Sequence, residues 1–161
     1  MSYNNIKDMA KEFRNAIFSL KSLPPEIQSP VVKRFPRGTC GDVCDLFIFY
    51  LSQKNIKAEY WNANFKYNDV TSVHAWIQIG EICLDMTADQ FNINDELNFP
   101  EVICTNRDLY PLRDYLTNIK KGVASTDCLN FLLLPIYAEI LDVIENGYSE
   151  ERIIKRKFKI D

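Results

Sequence analysis

The sequence predicts an α+β domain in which helices pack on a small antiparallel sheet. Apolar residues recur at helical spacing over residues 3–20 and again over residues 125–146. Between these stretches, residues 72–79 alternate as a strand does, and a second apolar run follows at residues 82–87. The turn Gly80-Glu81 separates the two runs by only two residues, which predicts a β-hairpin near the centre of the chain.

Length and charge limit the classes of protein to which the chain can belong. A chain of 161 residues is the size of one domain, and a hydrophobic content of 47% indicates a folded globule. With 19 basic residues against 22 acidic ones, the net charge is -3. No basic surface is therefore expected to bind nucleic acid or anionic lipid. We expect a single domain over residues 1–161, with neither nucleic acid nor a membrane as its partner.

The N-terminal stretch predicts an amphipathic helix over residues 3–20, followed by a proline-rich loop over residues 22–38 that has room for one short helical turn. Charged residues, among them Lys7, Lys11 and Arg14, interrupt the apolar spacing of the helix. A signal peptide or a membrane span requires an uninterrupted apolar core, which this stretch lacks. The expected location is the cytoplasm.

One cysteine stands where a turn passes into a predicted helix. The small residues Gly38-Thr39 precede Cys40, and apolar residues follow over residues 46–51. Unpaired main-chain N–H groups and the dipole at a helix N-terminus stabilise a thiolate, which lowers the pKa of a cysteine placed there. Cys40 is therefore a candidate nucleophile.

The predicted hairpin brings the single histidine of the chain close to an aspartate. A two-residue turn pairs Ile79 with Ile82, so the strand ends that carry His74 and Asp85 come together. Cysteine, histidine and aspartate can supply a nucleophile, a general base and a group that orients the base. Asp89 is the nearest alternative for the orienting carboxylate.

Two further strands complete the predicted sheet. The first is the aromatic run at residues 58–63, which a polar loop at residues 64–69 connects to the histidine strand. The second is an edge strand at residues 101–104.

Two groups of residues resemble the motifs of a known family. The first is Cys40-Gly41-Asp42 with Leu46-Phe47, Leu51 and Ile56 after it, and the second is His74-Ala75-Trp76 with Leu84-Asp85-Met86-Thr87 after it. Their order and spacing resemble the nucleophile helix, histidine strand and aspartate strand of the transglutaminase-like superfamily, in a small single-domain form of bacterial type. The resemblance covers residues 36–91. It implies a papain-like fold with Cys40, His74 and Asp85 as the catalytic triad.

The resemblance also suggests residues that contact a substrate. Gly41 lies beside the nucleophile, Gln90 is a polar group after the aspartate strand, and Trp76 could form a wall of the acyl pocket or simply belong to the core. The chain departs from the family pattern at Cys44, where alanine or serine is usual. It also lacks long β domains around the core, which argues against a large protein-crosslinking enzyme.

Five cysteines, at positions 40, 44, 83, 104 and 128, form no even disulfide framework. A zinc site is the competing interpretation, because Cys40 and Cys44 lie one helical turn apart and His74 and Cys83 could complete four ligands. Such a site lacks the close pairing of structural zinc sites and leaves Asp85 without a role. We expect neither a metal ion nor another cofactor, and we expect the cysteines other than Cys40 to be buried.

The last third of the chain, residues 109–158, is helical in pattern. One helix begins at residues 112–116, and a longer apolar helix covers residues 125–146, with a kink or a break at Pro135. A short charged helix follows over residues 149–158. The apolar helix 125–146 belongs to the core or, alternatively, offers a surface to a protein partner.

Together these features predict a cysteine-dependent acyl-transfer enzyme that forms a thioacyl intermediate. Hydrolysis of an amide or peptide bond is the preferred reaction, because a small domain has little surface to orient a second large substrate. The substrate is then a peptide, a protein or a small amide. Two alternatives stay open: deamidation or transamidation of glutamine, as in transglutaminases, and a non-catalytic interaction domain on the same fold.

Overall fold

The computed structural model describes residues 3–93, 96–124 and 126–160 and combines helices with one antiparallel sheet, as expected for an α+β protein. These residues form five α-helices and five strands, which lie in the order β4-β3-β2-β1-β5. The helices are α1 (Tyr3–Ser19), α2 (Pro30–Arg34), α3 (Cys40–Ser52), α4 (Leu134–Asn146) and α5 (Glu150–Phe158). The strands are β1 (Glu59–Tyr67), β2 (Val70–Ile79), β3 (Ile82–Asp85), β4 (Ile103–Asn106) and β5 (Leu116–Lys121).

The central hairpin has the predicted register. Ile79 pairs with Ile82 and Ile77 with Leu84. Gly80, at a φ of +58°, supplies the left-handed conformation that so tight a turn requires. Because β3 ends at Asp85 while β2 begins at Val70, the first part of β2 extends beyond its partner and pairs only with β1.

Strand β1 is longer than predicted, and the prediction of a loop over residues 64–69 is wrong. Pairing between β1 and β2 continues to Tyr67 and Val70, so only two residues form the turn. One of them, Asn68, has a φ of 50°, which asparagine tolerates better than most residues. Burial of Phe65 against the stacked ring of Phe91 favours the extra strand length, since the sheet places this side chain in the core.

The helix predicted to begin at residues 112–116 is limited to one 3-10 turn at Arg113–Tyr115, and a helical interpretation of the whole of residues 109–158 is wrong. Leu116–Lys121 instead form β5, which pairs with β1. The open edge of β1 supplies main-chain hydrogen-bond partners there, and tertiary pairing outweighs a weak local preference. The predicted edge strand at residues 101–104 exists as β4, displaced by two residues.

Helix α4 covers only part of the predicted apolar helix. Residues 126–133 form bends and turns before α4 begins, and Ser125 lies outside the described residues. Pro135 stands in the first turn of α4, where a missing N–H breaks no helical hydrogen bond. The buried face of α4 belongs to the core, and binding of a partner to this helix stays a prediction.

The sheet separates two hydrophobic clusters. One contains the buried sides of α1, α3 and α4 together with Ala75 and Ile77 of β2. The other, called the aromatic side below, is richer in large aromatic rings near the candidate site, including Trp76, Phe91 and Tyr110. Alternation along β2 therefore places His74 and Trp76 on the aromatic side. In the part of the chain that the structure describes, no helix is both long and apolar enough to cross a membrane.

Candidate active site

Cys40 is the first residue of α3, and the first turn of this helix has no side-chain cap. The Thr39 hydroxyl, which could cap the helix, instead donates to the main-chain oxygen of Pro36 over 3.1 Å. Gly38, at a φ of +62°, supplies the turn before it. The main-chain N–H groups at the start of α3 are therefore oriented to stabilise negative charge beside the cysteine.

His74 and Asp85 form a fully buried pair on the aromatic side of the sheet. Nε2 of His74 lies 2.7 Å from Oδ2 of Asp85, and the two side chains are 0% and 1% exposed. The hairpin register brings these residues together, as the sequence predicted. With Nε2 occupied by the carboxylate, the other ring nitrogen, Nδ1, is the atom that can exchange a proton with a thiol.

Thr87 and Tyr110 contact the Asp85 carboxylate in addition to His74. Its Oδ1 accepts hydrogen bonds from the main-chain N–H of Thr87 at 2.9 Å and from the Thr87 hydroxyl at 3.3 Å, while Oδ2 also accepts from the Tyr110 hydroxyl at 2.7 Å. Burial raises the pKa of Asp85, but the charge of His74 and these hydrogen bonds lower it below its ordinary value. Asp85 is therefore held as a carboxylate that orients the imidazole.

The Cys40 thiol lies at the margin of β2, next to the imidazole. Its Sγ atom is 3.9 Å from the carbonyl oxygen of Val73. Burial raises the pKa of this thiol, but hydrogen bonding to His74, the charge of His74 and the main-chain N–H of Ala75 lower it below its ordinary value. Burial lowers the pKa of His74, whereas Asp85 and then Cys40 raise it, to about 9. These opposite shifts favour a thiolate and imidazolium pair at neutral pH.

Gln90 contacts both His74 and Gly38, which belongs to the turn before Cys40. Its Nε2 donates to the main-chain oxygen of Thr87 over 3.0 Å and lies 3.3 Å from Nδ1 of His74. Its Oε1 accepts from the main-chain N–H of Gly38 over 3.2 Å. These contacts fix the orientation of the amide and link the segment after Asp85 to the turn before Cys40. The predicted contact between Gln90 and a substrate stays a prediction, while the contacts in the structure are internal.

Gly41 and Trp76 lie on different sides of the triad. A side chain at Gly41 would meet the Tyr60 hydroxyl at 3.2 Å, so glycine allows that hydroxyl to approach the start of α3. Trp76 is buried, with its ring centroid 6.3 Å from that of His74 and 5.4 Å from that of Tyr110. It also lines a cavity of about 400 Å³ whose lining contains none of Cys40, His74 and Asp85. Both residues stay candidates for contact with a substrate.

The alternative carboxylate, Asp89, pairs with an arginine rather than with the histidine. Arg14 of α1 is buried and contacts both oxygens of Asp89, at 2.6 Å and 3.2 Å. The same guanidinium donates to the main-chain oxygen of Met86 and lies over the Phe35 ring, 4.9 Å from its centroid. Arg14 thus joins the segment after Asp85 to the loop that precedes Cys40.

The four ligands of the alternative zinc site are not assembled. In residues 3–93, 96–124 and 126–160, no group of three or more histidine, cysteine or acidic side chains is arranged to hold a metal ion. Cys44, Cys83 and Cys104 are buried thiols, as predicted. The expectation for Cys128 is wrong, because this residue lies in the irregular segment before α4 and is exposed.

Three residues at the site were missed by sequence reasoning: Tyr110, Arg14 and Tyr60. Arg14 had a detectable signal, because it lies four residues after Ala10 and therefore falls on the apolar face of the predicted helix. A charged residue on such a face usually has a buried partner. The two tyrosines had no local signal, since each contacts the site only through the tertiary structure.

Comparisons of the chain with protein-family models, with curated proteins and with solved structures find no match.

Proposed function

We propose that this protein is a cysteine-dependent acyl-transfer enzyme of transglutaminase-like type, with a papain-like core, that hydrolyses an amide or peptide bond. The observation that carries the proposal is the 2.7 Å contact between Nε2 of His74 and Oδ2 of Asp85. This contact leaves Nδ1 for the Cys40 thiol and so gives each of the three side chains a distinct chemical role. A reactive thiol persists in a reducing compartment, which supports action in the cytoplasm.

In the first half of the reaction, Sγ of Cys40 attacks the carbonyl carbon as a thiolate. The new C–S bond moves the carbonyl electron pair onto oxygen, and main-chain N–H groups at the start of α3 stabilise that oxyanion. The proton on Nδ1 of His74 passes to the nitrogen of the leaving amine as the C–N bond breaks. Asp85 keeps the ring oriented throughout.

In the second half of the reaction, water replaces the amine. Nδ1 of His74 accepts a proton from the water as its oxygen bonds to the thioacyl carbon. The C–S bond then breaks, which releases a carboxylic acid and restores the thiolate of Cys40 beside the imidazolium. Atoms and charge balance with water as the only co-reactant.

The pH dependence of alkylation tests the proposal. Reaction with iodoacetamide, followed by peptide mapping, measures a separate rate for each cysteine. We expect Cys40 to react with an apparent pKa below the value of about 8.5 that a free thiol shows. In a His74→Ala variant this apparent pKa should rise, because the thiolate loses its imidazolium partner.

A short unstructured peptide with a single cysteine, added to the same sample, provides the reference for an exposed thiol. Cys40 should react faster than the cysteine of this peptide at pH of about 6.5, where a free thiol is almost fully protonated. Equal rates for the two cysteines from about pH 5 to about pH 9, unchanged by His74→Ala, would contradict the proposal and favour a non-catalytic interaction domain.

A further inference from the structure

A cavity of about 400 Å³ lies on the aromatic side of the sheet, next to the turn of the central hairpin. Its volume is within the range of small-molecule sites, roughly 300–1,000 Å³. Trp61 of β1 and Trp76 of β2 are directly paired in the sheet, and both line the cavity. We call it the tryptophan cavity. Its other lining residues belong to the hairpin, to residues 107–113 and to the neighbouring ends of β1 and β5.

The tryptophan cavity is separate from the candidate active site. None of Cys40, His74 and Asp85 lines it. Tyr110 connects the two places, because it lines the cavity while its hydroxyl donates to Asp85. Contacts from Tyr110 through Asp85 and His74 lead to Cys40, so the cavity is at the end of this chain that is remote from the thiol. The proposed reaction therefore gives the cavity no role.

Trp76 directs an unused hydrogen-bond donor into this cavity. The residue is 4% exposed, and its Nε1 donates to no group of the described residues. Among these residues, the side-chain polar atom that is fully enclosed and unpaired is Oε2 of Glu139, not this nitrogen. Nε1 is therefore open to the space that Trp76 lines. An unpaired buried donor costs free energy, which a ligand with an acceptor would offset.

Gln78 directs an acceptor into the same cavity. It is 7% exposed, and its Nε2 donates to the main-chain oxygen of Gly80 over 2.9 Å. Its Oε1 accepts from no group in the part of the chain that the structure describes, and this atom is not enclosed either. Alternate residues of a strand lie on one face, roughly 7 Å apart. Trp76 and Gln78 thus present a donor and an acceptor along one wall.

The charged side chains that line the cavity are already paired. Each has a partner of opposite charge, in the pairs Arg107–Glu81, Arg113–Asp108 and Lys121–Glu59. A charged ligand would lose its hydration without finding a free counter-charge. The cavity therefore favours a neutral ligand over an anion or a cation.

We propose that the tryptophan cavity binds a neutral planar heterocycle that offers an acceptor to Trp76 and a donor to Gln78, as a nucleobase such as adenine does. The indole rings of Trp61 and Trp76 supply aromatic surface on which a planar ring stacks. Adenine carries ring nitrogens that accept hydrogen bonds and an amino group that donates them. This inference goes beyond the proposed function and does not depend on it, because neither Cys40 nor its partners line the cavity.

Intrinsic fluorescence tests the inference directly, because the chain has two tryptophans and both line the cavity. Adenine is added to the whole protein, with excitation at the long-wavelength edge of the tryptophan band, where adenine does not absorb. We expect a saturable change with a midpoint below about 1 mM. Free N-acetyltryptophanamide is the control and should show a collisional change that does not saturate.

A matched pair of variants separates the donor from the ring. Trp76→Phe and Trp61→Phe both replace an indole by a smaller ring, but the N–H of Trp61 already donates to Glu59 over 3.1 Å. Equilibrium dialysis with radiolabelled adenine should show a five- to tenfold loss of affinity, about the effect of one hydrogen bond, for Trp76→Phe and a loss of less than about threefold for Trp61→Phe. If Trp76→Phe does not fold, purine on the wild-type protein decides. Purine lacks the amino donor for Gln78 and should bind about fivefold more weakly than adenine.

A Cys40→Ala variant distinguishes this site from the candidate active site. It should bind adenine within about twofold of the wild type, because the substitution is remote from the cavity. A loss of binding in Cys40→Ala would place adenine at the thiol and overturn the inference. A fluorescence change that does not saturate, equal losses of affinity in the two tryptophan variants, or equal affinities for purine and adenine would each overturn it as well.

Discussion

The two faces of the sheet contribute different parts of the candidate site. On the aromatic face, His74 and Asp85 are fully buried, and Thr87 and Tyr110 complete the hydrogen bonds of the carboxylate. On the helical face, α3 delivers Cys40 to the margin of β2, where the thiol is only partly buried. The two parts meet because β3 ends early and leaves that margin open.

In the proposed reaction, this difference would separate proton transfer, on the buried face, from access of a substrate to the thiol. A buried histidine and carboxylate keep their geometry and their charges because water cannot compete for the hydrogen bonds. A nucleophile must remain within reach of a substrate, so it benefits from a half-buried position beside an open edge. Substitutions on the aromatic face should therefore change the reactivity of Cys40, whereas those that affect only packing should change stability.

The largest expected effect comes from Asp85→Asn, on the aromatic face. The neutral amide no longer stabilises the imidazolium, so the pKa of His74 falls and the pKa of Cys40 rises. Labelling of Cys40 by iodoacetamide at pH of about 6.5 should slow by about 10- to 100-fold, as expected for a change of one to two pKa units. Asp89→Asn should change that rate by less than about threefold, since Asp89 contacts Arg14 instead. The opposite ranking would mean that Asp89 orients the histidine.

Arg14→Met should mainly lower stability. The change leaves the Asp89 carboxylate, which is 18% exposed, without its partner, and it removes the hydrogen bond to Met86. We expect urea unfolding to show a loss of about 3 kcal/mol, the lower end of the cost of breaking a buried ion pair, because Asp89 is partly exposed. Lys11→Met, at an exposed position of the same helix, should change stability by less than about 0.5 kcal/mol.

The rate at which iodoacetamide labels Cys40 in the folded Arg14→Met variant shows whether Arg14 affects only the packing of the protein or also the reactivity of the thiol. If α1 supports the site only by packing against the segments on either side of it, the labelling rate of Cys40 should stay within about fivefold of the wild-type rate. A decrease as large as that of Asp85→Asn would instead make Arg14 a positioning residue of the reaction.

Tyr110→Phe should have a smaller effect than Asp85→Asn in the same assay. It removes one hydrogen bond to a buried carboxylate that keeps its contacts with His74 and Thr87. The negative charge is then less well stabilised, and we expect labelling of Cys40 at pH of about 6.5 to slow by about three- to tenfold. Tyr115→Phe is the control, because Tyr115 packs on the same face through its ring. Equal rates for the two variants would show that the Tyr110 hydroxyl is dispensable.

A last expected effect is a pH dependence of stability that belongs to His74. In a Cys40→Ala variant, burial lowers the pKa of His74, and we expect Asp85 to keep it above the unfolded value of about 6.5. The protonated imidazole then stabilises the folded state fully below that unfolded value, and the stabilisation disappears as pH rises through the folded pKa. The free energy of unfolding in urea should therefore fall above pH of about 6.5 by about 1 to 2 kcal/mol. The double variant Cys40→Ala with His74→Gln should lose that slope, and an unchanged slope would mean that another group titrates.

Local patterns predicted the catalytic candidates because each depends on short stretches of chain. The two-residue turn sets the register that brings His74 to Asp85, and the small residues before Cys40 place it at the start of α3. The hairpin register favoured Asp85 over Asp89, because it places Asp85 beside the histidine strand, but it did not exclude Asp89, which follows only four residues later. The structure separates them, because Asp85 contacts His74 and Asp89 contacts Arg14.

The sequence by itself determined the α+β class, the central hairpin and the order of cysteine, histidine and aspartate, because these features depend on turn length and on the period of apolar residues. Only the tertiary structure decided that residues 116–121 form a strand, that Gln90 lies between His74 and Gly38, and that Tyr110 completes the shell of Asp85. Each of these depends on a partner far away along the chain, whose position no local pattern specifies.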